Sequence, residues 1–306
     1  MTGITILIVI YGHMLFDGNL PSWYIKSRLI IYRFHMPVFM FISGFIISYS
    51  YKPVNNLLEY WYMVKRKLLK FAPTYILLAI IFILLKILIN GASSDQTRKD
   101  IYYAIFIPIQ SPSGFLWYIY VLMQFYIIFP LLEWIANKNI LLLIILGFAI
   151  HFIDVTSMFN LDLFAFYFIF VAFGIVANRY YNIFKTFFKK IGIIIISLII
   201  ILSCFNHMPS KLPFGILAIP SIYYLSLILA KYKIGTYLSF LGKNAYQMYI
   251  WHTLIMGFVY IFFTRILNLE VSIIILMIVF ASGVIMPILI KKSIIERSHF
   301  LKNFFK

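Results

Sequence analysis

The sequence predicts an all-α polytopic membrane protein, a single bundle of about ten transmembrane helices with both termini in the cytoplasm. Three observations carry this expectation: the composition, the lengths of the apolar runs, and the placement of the basic residues. Of 306 residues, 63% are hydrophobic and 20% aromatic, while only 11% are charged. A soluble domain carries about 25% charged residues, so a chain with mean hydropathy +0.98 is built to face lipid.

The apolar runs come in lengths near the roughly 20 residues that a span needs. They cover 1–16, 34–51, 70–90, 115–135, 139–153, 162–178, 191–206, 213–230, 241–263 and 271–291, the fifth being short. Polar breaks separate them: KPVNN at 52–56, NGASSDQTRKD at 90–100, NRYYN at 178–182 and KYKIG at 231–235. No internal repeat or soluble domain interrupts the series, so residues 1–306 read as a single integral-membrane domain.

The net charge of +17 does not signal nucleic acid, because the bases punctuate apolar runs and do not line one polar face. Their distribution orients the bundle. Lys52, Lys65, Arg66, Lys67 and Lys70 follow the second run, and Lys291, Lys292, Arg297, Lys302 and Lys306 follow the last. The loops after odd-numbered runs hold few bases, which by the positive-inside rule leaves both termini cytoplasmic. The single cysteine, Cys204, excludes an intramolecular disulfide, and no metal-binding cluster is visible.

Orientation converts sequence position into depth. At 1.5 Å per residue, His13 lies roughly 18 Å up a helix that rises from the cytoplasm, in the outer half of the bilayer. His35 opens a helix descending from outside, and Trp117 opens another. His252 lies roughly 16 Å along a rising helix. Ionisable residues inside spans are costly and face a cavity or the bundle interior, so these pieces converge on an outward-facing polar cavity. His151, His207 and His299 fall at span ends or in loops and read as solvated. Lys65, Arg66, Lys67 and Lys70 precede the third run, where Pro73 fits the first helical turn. Such a cluster suits phosphate groups, although a topology anchor on anionic lipid is the commoner reading. Ser43 and Gly44 read as a close helix-packing point.

These pieces, in this order, resemble the membrane-bound acyltransferase family 3. The resemblance lies in GITILIVIYGH at 3–13, FHMPVFMFISGFIISY at 34–49, VKRKLLKFAPTY at 64–75, FLWYIYVLMQFYIIFPLL at 115–132 and FLGKNAYQMYIWHTLI at 240–255. It implies a bacterial plasma-membrane enzyme moving an acetyl or other short acyl group from acyl-CoA to a hydroxyl of a cell-surface or capsular polysaccharide. His13 would be the catalytic base, and Lys65, Arg66, Lys67 and Lys70 the acyl-donor site. His35, Ser43, Trp117, Asn244 and His252 would line the cavity for the acceptor. No cofactor is implied beyond acetyl-CoA or another acyl-CoA as donor substrate; the implied partners are membrane lipids, the glycan acceptor and polysaccharide-biosynthesis proteins. The rival expectation is an exporter or transporter without acyl-transfer chemistry, although repeated halves and Gly/Pro-broken helix pairs are not evident. The family places a basic residue eleven positions before its first histidine, where this chain has Thr2. A start lying further upstream and a degenerate family member both account for that, and a first helix truncated at its N-terminus is the expectation.

Overall fold

The computed structural model describes residues 1–14, 20–90, 93–203, 211–299, 301 and 305. Asp17, one helical turn beyond His13 and expected to be a surface acid ending the helix more than a group that orients the ring, lies outside them, as do Cys204, His207, Lys302 and Lys306. Twelve α-helices follow one another among the described residues, with no strand: α1 (Thr2–Gly12), α2 (Ser22–Ser50), α3 (Leu57–Asn90), α4 (Ser94–Phe106), α5 (Trp117–Lys138), α6 (Ile140–His151), α7 (Leu161–Arg179), α8 (Tyr181–Ser203), α9 (Lys211–Leu229), α10 (Lys233–Lys243), α11 (Ala245–Ile261) and α12 (Ile273–Ile290). Many of these segments are rich in Ile and Phe, which have no strong helix propensity in water. In lipid each backbone N–H and C=O must be satisfied within its own segment, and that requirement makes them helical.

Among the described residues seven helices are long and apolar enough to cross a membrane: α2, α3, α5, α7, α9, α11 and α12, while α1 and α6 are apolar but shorter. The seventh expected run follows α8 as far as Ser203; residues 204–206 fall outside the described part. The chain is therefore a multi-pass membrane protein.

The polar breaks supply the helix caps. Asn56 Oδ1 accepts the Glu59 N–H at 2.8 Å while the Glu59 carboxylate accepts from Asn55 N and Asn56 Nδ2, a reciprocal cap that starts α3. Asn139 starts α6 in the same way, accepting from Leu141 N and Leu142 N, and Ser272 starts α12. The early cap corrects one expectation: Pro73 lies deep inside α3 and not in its first turn, and Lys65, Arg66, Lys67 and Lys70 ride on the helix. α2 likewise begins at Ser22, so His35 sits in mid-helix and does not open it. Trp117 is the first residue of α5, as expected. The ninth run is broken at Asn244, between α10 and α11.

The chain divides into two compact units: residues 1–42 with 180–298, and residues 43–179 with 299–306. In the first unit α1 packs against α9, α10, α11 and α12, and α8 packs on α9. α1 approaches α10 closely enough that a Cβ on Gly3 would overlap the Leu238 carbonyl. In the second unit α5 packs against α3, α6 and α7. There the chain from α2 meets α7 at Gly44, where a Cβ would overlap the Val171 backbone, the close packing point that the small pair Ser43–Gly44 predicts.

Candidate functional site

The end of α1 is held by side chains from the first third of α2. His13 is its C-cap, with its N–H on the Val9 and Ile10 carbonyls at 3.1 and 3.2 Å. A helix end leaves carbonyls without intrahelical donors, and α2 supplies them. Arg28 Nε donates to the Gly12 carbonyl at 3.0 Å. The buried Tyr24 hydroxyl serves the Tyr11 and Met14 carbonyls at 3.0 and 2.7 Å, and the Tyr11 hydroxyl meets Ser27 Oγ at 2.6 Å. The Arg28 guanidinium also lies 4.3 Å over the Tyr32 ring, which in turn contacts His13 and His35 at centroid separations of 6.1 and 4.8 Å. Sequence reasoning missed Tyr24 and Arg28 because it started α2 a dozen residues too late.

Three of the expected site residues meet around this anchored end. The His13 ring lies edge-on to His252 at 5.2 Å and to His35 at 6.4 Å between centroids. His35 and His252 are buried, and each directs Nδ1 at a backbone carbonyl: Ile31 at 2.9 Å for His35, Tyr249 at 2.7 Å for His252. A carbonyl only accepts, so Nδ1 carries the hydrogen and the neutral ring holds its lone pair on Nε2. The two rings are thereby fixed in orientation and tautomer. His13 differs: the residue is partly exposed, and its ring makes no hydrogen bond among the described residues. A ring held by its backbone and joined by no hydrogen bond among the described residues is suited to take a proton from a bound hydroxyl. Among the described residues no group of three His, Cys, Asp or Glu is arranged to hold a metal.

Asn244 is not brought to this cluster. It terminates α10 eight positions before His252, roughly 12 Å along the helix axis. Its amide is committed to neighbours, accepting from Lys291 Nζ at 2.8 Å and donating to the Phe240 carbonyl at 2.9 Å.

The remaining expected residues lie in the second unit. Arg66 and Lys67 line a cavity of about 500 Å³ together with Tyr51, Lys52, Tyr62 and Tyr126. The Lys67 ammonium stands 4.6 Å over the Tyr126 ring, which stacks on Phe71. Lys65 and Lys70 do not line this cavity. Ser43 Oγ meets the Tyr118 hydroxyl at 2.7 Å, and Trp117 stacks on Tyr167 at 5.1 Å. His151, expected to be solvated, instead has its Nδ1–H on the Phe166 carbonyl at 2.7 Å, because the short α6 ends against α7; His299 is exposed.

Two ion pairs, each on a buried carboxylate, escaped the sequence reading. Glu133 on α5 receives the Arg179 guanidinium and the Ser48 hydroxyl, and Asn178 Nδ2 donates to Ser48 Oγ at 3.0 Å. Lys86, inside an apolar run, pairs with the buried Asp100 of α4 at 2.7 Å. An acid within a span was the available signal for Glu133, since such residues are rare and find partners. The partner could not be read, because Arg179 sits in what reads as a loop.

No curated protein and no solved structure shows significant similarity to this chain. The family comparison is positive and nearly complete: residues 1–291 match the model described as an acyltransferase domain, acyltransferase 3. Helices built for lipid, three histidines gathered at an anchored helix end and a match over almost the whole sequence agree, and the chain belongs to the acyltransferase 3 family.

Proposed function

We propose that this membrane acyltransferase is an O-acyltransferase, moving an acetyl or other short acyl group from acyl-CoA to a hydroxyl of a cell-surface or capsular polysaccharide. It acts in this reading as a multi-pass protein of a bacterial plasma membrane, with ten spans and cytoplasmic termini. The observation that carries the proposal is the meeting of His13, His35 and His252, supported by the family membership.

In the reaction a neutral His13 imidazole accepts the proton of the glycan hydroxyl as its oxygen attacks the thioester carbonyl. The tetrahedral intermediate collapses, the C–S bond breaks, and the departing thiolate recovers the proton from the imidazolium. His35 and His252, their rings fixed through Nδ1 and set beside His13, hold the sugar's reacting hydroxyl against His13 in this reading. Tyr24 and Arg28 position the base by holding its backbone. Arg66 and Lys67 serve the phosphates of the donor through charge-assisted hydrogen bonds, and the Tyr51, Tyr62 and Tyr126 rings of the same cavity supply flat apolar surface. Ser43 and Trp117, each joined to a buried tyrosine within the second unit, keep the acceptor role that the family resemblance implies. Polysaccharide-biosynthesis proteins supply the glycan.

The test feeds labelled acetyl-CoA to membranes containing the protein and follows label into surface glycan. Incorporation that depends on the intact chain is expected. Glycan that crosses the membrane without acquiring label would assign the protein to export and overturn the proposal.

A further inference from the structure

Outside the histidine cluster and the donor cavity, the first unit carries a second concave site. A groove of about 510 Å³ lies where α9 turns into α10, lined by Ala230, Gly235, Thr236, Ser239, Phe240 and Lys243. The turn is so tight that a Cβ on Gly235 would sit 2.6 Å from Ala230 Cα. Along α10 the residues 236, 239, 240 and 243 fall on one face at helical spacing. That face combines two hydroxyls, an ammonium and an aromatic ring.

The rest of α10 explains what such a groove is for. Its inner side packs against α1 through Gly3 and Gly242. Its outer side leaves Tyr232, Ile234 and Tyr237 at least half exposed, Tyr237 at 70%. Exposed aromatics beside lysines on a short amphipathic helix are the signature of a segment lying in the headgroup layer. From residue 230 to 269 the chain holds Lys231, Lys233, Lys243 and Arg265 and no acid. Lys292, arriving from the end of α12, stands 5.4 Å over the Phe240 ring. A soluble phosphate would answer the hydroxyls and Lys243 but leave Ile234 and Tyr237 in water. An anionic lipid answers both, with its phosphate in the groove and its chains along the exposed face.

We propose that the α9–α10 groove binds an anionic phospholipid, the headgroup phosphate held by Thr236, Ser239 and Lys243 and the acyl chains lying against Phe240, Tyr237 and Ile234. The site is independent of the acyl-transfer reading, and its test contains no acyl donor.

The experiment measures retention of fluorescent phosphatidylglycerol by the full chain purified in zwitterionic detergent. Unlabelled phosphatidylglycerol, phosphatidylcholine, coenzyme A and inorganic phosphate serve as competitors. Phosphatidylglycerol alone is expected to compete. Each lysine close to an anionic surface contributes about fivefold in affinity, so Lys243→Gln with Lys292→Gln should weaken retention about 25-fold. Removing the same charge from α8, by Lys185→Gln with Lys189→Gln, should change it less than about twofold. Thr236→Val with Ser239→Ala, which leaves every charge in place, should weaken it about tenfold. Equal competition by phosphatidylcholine, or equal losses in the two lysine double variants, overturns the site. Displacement by coenzyme A or inorganic phosphate assigns the groove to a soluble phosphate and overturns it as well.

Discussion

Two polar clusters inside this apolar protein are built on opposite principles. In the second unit Glu133, Arg179, Ser48 and Asn178 close on one another: the carboxylate meets a guanidinium and a hydroxyl, and the amide completes the hydroxyl. In the first unit His13, His35 and His252 meet edge to edge, two with Nδ1 tied to backbone and the third joined by no hydrogen bond among the described residues. A network whose members satisfy each other holds helices in place and has nothing left to offer a substrate. A ring whose backbone is anchored and which has no hydrogen bond among the described residues is what the proposed base requires.

The largest expected effect is on the histidines. His13→Ala should lower acyl transfer by about 10²- to 10⁴-fold, the usual contribution of a general base, with the helical circular dichroism and thermal unfolding of the detergent-solubilised protein unchanged. Transfer at the wild-type rate would remove His13 from the chemistry. Next comes the closed network, where the readouts exchange places. Glu133→Ala leaves the half-buried Arg179 and the Ser48 hydroxyl without their carboxylate and should destabilise the protein by about 1–3 kcal/mol, seen as a lower unfolding temperature. If that variant unfolds at the wild-type temperature, the network is not structural and the contrast fails.

Smaller effects sharpen the picture within the second unit. Arg66→Ala with Lys67→Ala should raise the KM for acyl-CoA about tenfold while kcat holds, because charge-assisted contacts to the donor are lost. The paired change Lys65→Ala with Lys70→Ala, outside the cavity, should leave KM within about twofold. A kcat loss in the first pair would instead tie the cavity to the chemical step. Smallest of all, Ser43→Ala removes one hydrogen bond to Tyr118 and should cost about 1 kcal/mol in thermal unfolding. A much larger loss of transfer activity from that variant would place Ser43 at the substrate.

Each of the ten apolar runs contains a helix, because a lipid-facing segment has no other way to satisfy its backbone, although several runs end or break outside it. The boundaries were less legible. α2 and α3 each begin more than ten residues early, since Lys, Arg and Tyr are compatible with helix and only the Asn56–Glu59 cap stops α3 from starting sooner still. Those early turns matter, for they carry Tyr24 and Arg28 to the end of α1. The pairing of Glu133 with Arg179 was unreadable for a related reason. Residues 46 positions apart are brought together by helix packing, which leaves no local pattern in the sequence.

By itself the sequence determined the solvent, the secondary structure and the family: 63% hydrophobic residues in span-length runs admit helices in lipid, and ordered motifs from residue 3 to 255 carry the resemblance. It also named the three histidines, because ionisable side chains in apolar runs are conspicuous. Only the tertiary structure decided that these three meet while Asn244 does not, and that Arg66 and Lys67 line the cavity while Lys65 and Lys70 do not. Depth along a helix follows from counting residues at 1.5 Å each. Which side chains share a face with another helix depends on rotation and packing, and these are settled only when the helices come together.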